Sequence, residues 1–285
     1  MPVRTIKQFA AVFAALCIAQ ADAPADDADD PETAELRAGM NFMETPVYTL
    51  EEDRQIIEVF KGLRVADVSD GMDQAGLFNS GLVSPDIGPL WRDTEHYTHR
   101  IIGIAVTVRY VPTNQPKAGA MEPDQFSAWV GNWYNTRSPE PFTPLLREGS
   151  VLVIEDAANV DVGSIGSNNI MGWKMAGCVG VVTSATARDT DEIITQGNPL
   201  YLNKVGRGIR PGRNEVESVN RPVVIGGALV RPGDVIVADG DGVIVVPREH
   251  AEEVARYAGG ILATDKEERR EKYEQLDMEM DESVK

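Results

Sequence analysis

Between Leu50 and Leu63 the chain reads LEEDRQIIEVFKGL. This sets Ile56, Val59, Phe60 and Leu63 on one face of a helix and puts carboxylates in its first turn, where the helix dipole favours them. Val68-Ser69-Asp70 then offers a cap for a second short helix through Met72 and Ala75, closed by Gly76. Beyond it the period changes. Ile101 to Val111 alternates and is β-branched, as a buried strand is, and shorter apolar runs lie at Val151–Glu155, Cys178–Thr183, Val223–Leu229, Val235–Ala238 and Val243–Val246. Phe126, Trp129, Val130 and Trp133 recur at helical spacing, predicting a helix that docks its aromatic face on the core. Arg231-Pro232-Gly233-Asp234 and Asp239-Gly240-Asp241-Gly242 read as turns between the last strands, with Asp239 and Asp241 as turn formers. From His250 a polar helix leads into a mixed-charge tail. Strands and helices mix along the chain, which is the pattern of the α/β class.

The two ends differ from this middle. Arg4 and Lys7 precede the apolar run Phe9 to Ala19, and Ala21-Asp22-Ala23 follows as a small-x-small cleavage site, so residues 1–23 read as a signal peptide for export. The run is too short to span a bilayer comfortably, so the mature protein is expected to be soluble, periplasmic or secreted. Residues 24–49 are rich in Asp, Ala, Glu and Pro without a sustained apolar period and read as an acidic flexible linker. One folded domain is expected over residues 50–260, with a charged helix or tail over 261–285. A length of 285 residues is ample for a proper core.

The net charge of −18 adds a constraint: phosphate binding is driven by Lys and Arg, so an acidic surface argues against nucleic acid and anionic membranes as partners. Cleavage after Ala23 would remove Cys17 and leave Cys178 alone in an apolar strand, with no intrachain disulfide to make. No phosphate-cradling glycine motif ending in Gly-Lys-Ser or Gly-Lys-Thr is present, nor a strand-linked GxGxxG, so nucleotide binding is not indicated.

Candidate chemistry concentrates between Ile165 and Glu192. Gly166-Ser167-Asn168-Asn169 is a small polar run opening an apolar-periodic segment (Ile170, Trp173, Ala176, Gly177), the signature of a loop feeding a helix N-terminus. Its backbone N–H groups suit a carboxylate or phosphate. The strand Cys178–Thr183 then delivers the adjacent pair Arg188-Asp189 just beyond its end, a guanidinium to clamp an acid and a carboxylate to hold a cation. Other charged groups carry less. Asp67, Asp70 and Asp73 lack a calcium-loop pattern and read as caps and surface carboxylates. His96 and His99 lack a third ligand nearby and read as exposed or locally hydrogen-bonded. Glu155-Asp156 ends a strand, and Gly206 to Glu217 (GRGIRPGRNEVE) has the composition of an anion-binding loop.

Twenty residues separate Ser167 from Arg188. That spacing, with VADVSDGMDQAG from Val65, IIGIAVTVRYVP from Ile101, GSVLVIED from Gly149 and RPVVIGGALVRPGDVIVADGDGVIVVPREHAEEV from Arg221, resembles the RraA-like family over residues 65–254. The family comprises metal-dependent 4-hydroxy-4-methyl-2-oxoglutarate aldolases and regulators of ribonuclease activity. The resemblance implies a single compact α/β domain with a layered β/β/α core, assembled as a homotrimer. It also implies a class II lyase that cleaves a 4-hydroxy-2-oxo acid to pyruvate and can decarboxylate oxaloacetate; the alternative is a non-catalytic binding or regulatory protein. Carried over, Asp189 would hold Mg2+ or Mn2+, Arg188 would bind the substrate's ketone or carboxylate, and Gly166, Ser167, Asn168 and Asn169 would donate hydrogen bonds to it. Two departures stand out: Ser167 replaces the aldolases' aspartate, and Ser184-Ala185 replaces an Asp-Gly pair. Asp191, Glu192 and Glu155 are the carboxylates open to take over the missing acid/base role. The segment from Lys117 to Gly149 is longer and more aromatic than in simple family members, which also suits a cover over the site or a subunit contact.

Overall fold

The computed structural model describes residues 31–156 and 161–285. The expected signal segment, and the linker as far as residue 30, lie outside the described residues. The chain divides into two units, Met1–Glu44 and Thr45–Lys285. In the first, part of the stretch read as linker forms a helix, α1 (Pro31–Ala38), exposed from Ala34 to Ala38.

In the second unit the order is α2 (Leu50–Phe60), α3 (Val65–Gln74), β1 (Gly88–Pro89), β2 (Ile101–Pro112), α4 (Pro123–Thr136), β3 (Ser150–Asp156), β4 (Gly163–Ile165), α5 (Ser167–Met175), β5 (Cys178–Ala187), α6 (Thr190–Thr195), β6 (Leu200–Val205), β7 (Asn214–Val219), β8 (Val223–Ile225), β9 (Ala228–Val230), β10 (Val235–Asp239), β11 (Gly242–Val246) and α7 (Ala251–Gln275). One mixed sheet carries the order β1-β6-β5-β3-β2-β10-β11, with β4 beside β5 and β7 beside β2. Its centre, β2-β3-β5-β6, is parallel. The sheet curls until β1 touches β11 and is nearly closed.

Both faces of this sheet are covered, which explains why its strands read as continuous apolar runs rather than a hydrophobic and polar alternation. Ile101, Ala105, Val151, Val153, Val182, Ile236 and Val245 point to one face, where they meet Val83, Ile87 and the β8-β9 hairpin. Their neighbours one residue along point to the other face. There Val106, Leu152, Ile154 and Val181 pack on Ile170 and Trp173 of α5, and Ile104, Val235 and Val237 pack on Phe60, Val68, Met72 and Val254 of the helices α2, α3 and α7. Hairpin, sheet and helices are the three layers of the expected β/β/α core.

Several local expectations are refined. In α2, Ile56 and Phe60 are buried as read, but Val59 is 49% exposed. Helix α3 begins three residues before the expected cap, because Asp67 accepts the Arg64 N–H at 3.0 Å and Asp239 accepts the Val65 N–H at 3.0 Å. The run Val223–Leu229 is two strands rather than one, since Gly226 and Gly227 both take positive φ and turn the chain back on itself. In α4 only Trp133 is buried; the Trp129 ring lies tilted against it with centroids 5.6 Å apart and Phe126 remains 46% exposed, so most of the aromatic face is not docked on the core. The C-terminal residues fold back along α7: Tyr273 donates to Asp281, the Arg270 side chain donates to the Val284 carbonyl, and Val284 is buried.

Candidate active site

The parallel strands set the position of the site. β3, β5 and β6 end at the same edge, and ligands of α/β sheets gather at the carboxyl ends of such strands. β5 ends at Ala187 and hands Arg188 and Asp189 to that edge. The Arg188 N–H is held by the Ile165 carbonyl of β4 at 2.8 Å. Asp189 adopts φ 57°, ψ 38°, the left-handed region that an aspartate enters at a cost, and strain of this kind clusters at functional positions. Its carbonyl accepts the Ile193 N–H at 3.0 Å, which fixes this backbone turn at the start of α6.

The second expected element meets the first. Helix α5 starts at Ser167, as the small polar run predicts, and the Ser167 N–H donates to Asp189 Oδ2 at 3.3 Å. A side chain on Gly166 would bring its Cβ to 2.8 Å from that same oxygen, so only glycine lets the carboxylate sit against the helix start. Gly163 serves Arg188 likewise: the arginine's methylenes lie where a Cβ would be, at 2.8 to 3.0 Å. Arg188 Nε stands 3.9 Å from Asp189 Oδ1, and both side chains are about two-fifths exposed, at 40% and 41%. Guanidinium, carboxylate and helix start therefore converge on one open surface. Asn168 is exposed beside them, whereas Asn169 turns inward, its Oδ1 accepting the Gly166 N–H at 3.3 Å.

The inward side of α5 rests on groups that the sequence does not single out. Glu140, from the stretch after α4, accepts from Asn169 Nδ2 at 2.8 Å, from Trp173 Nε1 at 2.9 Å and from Arg210 at 2.5 Å. Arg210 is 4% exposed and also donates to the Tyr110 hydroxyl at 2.6 Å, and burial pushes that phenol up to about 12. Arg210 does lie in the glycine- and arginine-rich loop read as anion-binding; the anion it holds is the chain's own Glu140. Beside this cluster, Asp156 accepts from Ser164 and Asn214, each at 2.7 Å.

Of the carboxylates weighed as proton carriers, Glu155 is committed elsewhere: Oε1 lies 3.3 Å from Arg109 and Oε2 accepts the Val224 N–H at 2.9 Å. Asp191 and Glu192 are exposed in the first turn of α6, next to Asp189 in the chain. His96 is exposed, and His99 is buried with Nδ1 accepting the Asp93 N–H at 3.1 Å, so both follow the local reading.

Among the described residues no three His, Cys, Asp or Glu side chains form a ready-made metal cage. A hard cation that keeps most of its water asks for less. Mg2+ is commonly held by one or two carboxylates plus substrate oxygens, and Asp189 offers an exposed carboxylate spending one oxygen on a single backbone N–H. The donor set fits such a cation.

Sheet, layers and edge define an α/β domain whose site pairs an arginine with an acid at a helix start, a combination suited to small anionic molecules. Comparison with known proteins gives the family: residues 65–245 match the RraA-like family (Aldolase/RraA), and the chain belongs to it. It is 28% identical over 238 residues to protein DlpA of Legionella pneumophila, covering 79% of this chain and 33% of that protein. A protein of Arabidopsis thaliana provisionally named 4-hydroxy-4-methyl-2-oxoglutarate aldolase 3 is 33% identical over 110 residues, which cover 36% of this chain and 61% of that one. The chain thus spans a third to three-fifths of these curated relatives. Among solved structures, an uncharacterized protein from Pseudomonas syringae pv. tomato superposes with a TM-score of 0.59 at 26% identity, covering 82% of this chain and 96% of that one.

Proposed function

We propose that this protein is a divalent-cation-dependent lyase that cleaves a 4-hydroxy-2-oxo acid to pyruvate and can decarboxylate oxaloacetate. The observation that carries the reading is the strained Asp189, held by the Ser167 N–H beside Arg188 at the carboxyl end of β5. The aldolase names of relatives about 30% identical support the same reaction class. Asp189 would hold the cation, Mg2+ or Mn2+; chelated by the substrate's carboxylate and ketone, such an ion draws electrons from the ketone and eases rupture of the carbon–carbon bond beyond it.

The chain's own groups have distinct tasks. Arg188 offers a planar fork to the substrate's carboxylate or ketone oxygen, and its methylenes lying over Gly163 set the direction of that fork. Asn168 and Asn169 present first-turn N–H groups that have no intrahelical acceptor, so the start of α5 favours an anionic substrate end. Ser167 is neutral and cannot act as a base near neutral pH, so in this chain the proton passes through water or through Asp191 or Glu192.

Pyruvate release from oxaloacetate and from 4-hydroxy-4-methyl-2-oxoglutarate, with Mg2+ or Mn2+ and with chelator, tests the reading. Turnover should need the metal and fall at least ~100-fold in Asp189→Ala, as expected when a fixed transition-state contact is removed. Ser167→Asp should retain or raise it. Metal-dependent turnover that survives Asp189→Ala would refute the site. The exchange of the family aspartate for Ser167 favours a second reading, a non-catalytic binding protein. Absence of both turnover and cation binding would select it.

Export and a homotrimer belong to the same proposal. The basic, apolar and small-residue order of residues 1–23 supports the first, and family membership supports the second. N-terminal sequencing of protein from its host should begin at Pro24, and light scattering should give three chains per particle.

A further inference from the structure

At the opposite end of β5 from Arg188 and Asp189, a cavity of about 450 Å³ opens where α5 ends and β5 begins, and its wall reaches Ile170, one helical turn from Gly166. Its strand residues, Cys178 to Val181, lie seven or more residues before Arg188, roughly 20 Å or more along an extended chain. The volume is in the range of small-molecule sites. What distinguishes the cavity is its charge. The chain carries 45 acidic and 27 basic side chains, yet among the described residues the only charged ones lining this cavity are Arg100 and Lys174, with no carboxylate beside them.

Among the described residues neither cation has an acid for a partner. Arg100 lies with its guanidinium carbon 4.0 Å from the centre of the Tyr97 ring, a contact that holds the side chain in place without neutralising it. Its Nε is shut off from solvent and has no hydrogen-bond partner. Lys174 Nζ donates at 3.1 Å to Asn198 Oδ1, a neutral amide. Asn198 is itself 2% exposed, and its backbone is tied down on both sides, the N–H to the Ile193 carbonyl and the carbonyl to Trp91 Nε1 at 3.0 Å. The nearby Asp93 is spent locally on Thr98 Oγ1 and on the N–H groups of Glu95, His96 and Thr98. Ile170, Val179, Val181 and Pro199 supply an apolar wall to the same cavity. Two positive groups with no carboxylate partner among the described residues, set in one cavity with apolar walls, suit a ligand with acid groups joined by a short hydrocarbon.

We propose that this cavity is a second binding site, taking a small organic dianion whose acidic groups meet Arg100 and Lys174 and whose hydrocarbon body meets Ile170 and Val179. The site is independent of the proposed lyase chemistry. It shares one element with that site, helix α5, which carries Ser167 at one end and Lys174 at the other.

Titration calorimetry of the full chain with succinate, in metal-free buffer at fixed ionic strength, tests this, with neutral succinamide as the control. Succinate should bind at one site per chain and succinamide should not. Arg100→Gln and Lys174→Gln should each weaken binding about tenfold or more, the loss expected for one charge-assisted contact. Asp189→Asn should leave it unchanged. In amide NMR, succinate should shift Gly177 to Val181, Gly197 and Asn198, and leave Gly166 to Asn169 in place. Lys174 is exposed, so Lys174→Gln remains a valid test if Arg100→Gln folds poorly. The proposal falls if the wild type does not bind succinate, if Lys174→Gln retains full affinity, or if Asp189→Asn abolishes binding.

Discussion

Asp189 shows how much a single residue's setting decides. Its left-handed backbone, the Ser167 N–H on Oδ2 and the side-chain-free Gly166 beneath it form one arrangement. Gly166→Ala should therefore act on the site rather than on the fold: a Cβ 2.8 Å from Oδ2 must push the carboxylate aside. Misplacement by about 1 Å can cost on the order of 100-fold in rate, and a loss of that size is expected, with a Tm change of only a few degrees. Pyruvate-release kinetics beside a thermal melt separate the two effects. Gly166 and the Arg188-Asp189 pair were legible in the sequence, because each is a local signal: a small polar run before a helix and a charged pair after an apolar strand. The positive φ of Asp189 was not, since it follows from β4 holding Arg188 on one side and α6 beginning on the other.

At the scale of elements, α5 is placed by contacts remote in sequence. Glu140 lies 29 residues before Asn169 and 70 before Arg210, and it joins both. The segment after α4 is thus a buttress to the site's helix on its inner side. Glu140→Ala should leave Arg210 buried without its carboxylate. Breaking a buried pair costs about 3–5 kcal/mol, and because Glu140 is partly exposed a loss of about 2–3 kcal/mol is expected in denaturant melts. The freed Asn169 should also loosen the start of α5, raising KM for an anionic substrate more than it lowers kcat. Helical spacing alone predicted α4, and the helix is there. Its docking was misjudged because spacing reports a face without saying what lies opposite; Trp133 donates to the Asn214 carbonyl while Phe126 faces solvent.

Over the whole molecule the three layers are tied by buried charge as well as by apolar packing. Asp53 of α2, 3% exposed, accepts from Arg147 at 2.5 Å and from Arg248 at 2.9 Å, linking the helix layer to chain segments 94 and 195 residues away. Asp234, at the entrance to β10, accepts the N–H groups of Arg231 and Arg248, yet burial outweighs them and pushes its pKa up to about 6 from 3.8. The folded state therefore binds this proton more tightly than the unfolded chain. Its stabilising contribution is complete below about pH 4 and is lost as pH rises through about 6. Asp234→Asn removes that dependence. The stability difference, variant minus wild type, should shift in the variant's favour between pH 4 and 7 by on the order of 2–3 kcal/mol, measured as Tm or denaturant midpoint at each pH.

By itself the sequence determined the class of the protein, its family and the core of its candidate site. Apolar runs such as Val151–Glu155 and Val243–Val246 mark strands covered on both faces, and the glycine, helix start and Arg-Asp pair fall within one stretch of chain. These are short-range regularities, set by backbone geometry with a period of 2 or 3.6 residues. Only the tertiary structure decided that the stretch Val223–Leu229 doubles back as a hairpin, that Glu140 and Arg210 support the site, and that Arg100 and Lys174 share a cavity. Those facts depend on which residues meet across the closing sheet. A pairing 70 residues apart leaves no period in the chain, because its energy is realised only when the sheet and helices bring the partners within hydrogen-bonding distance.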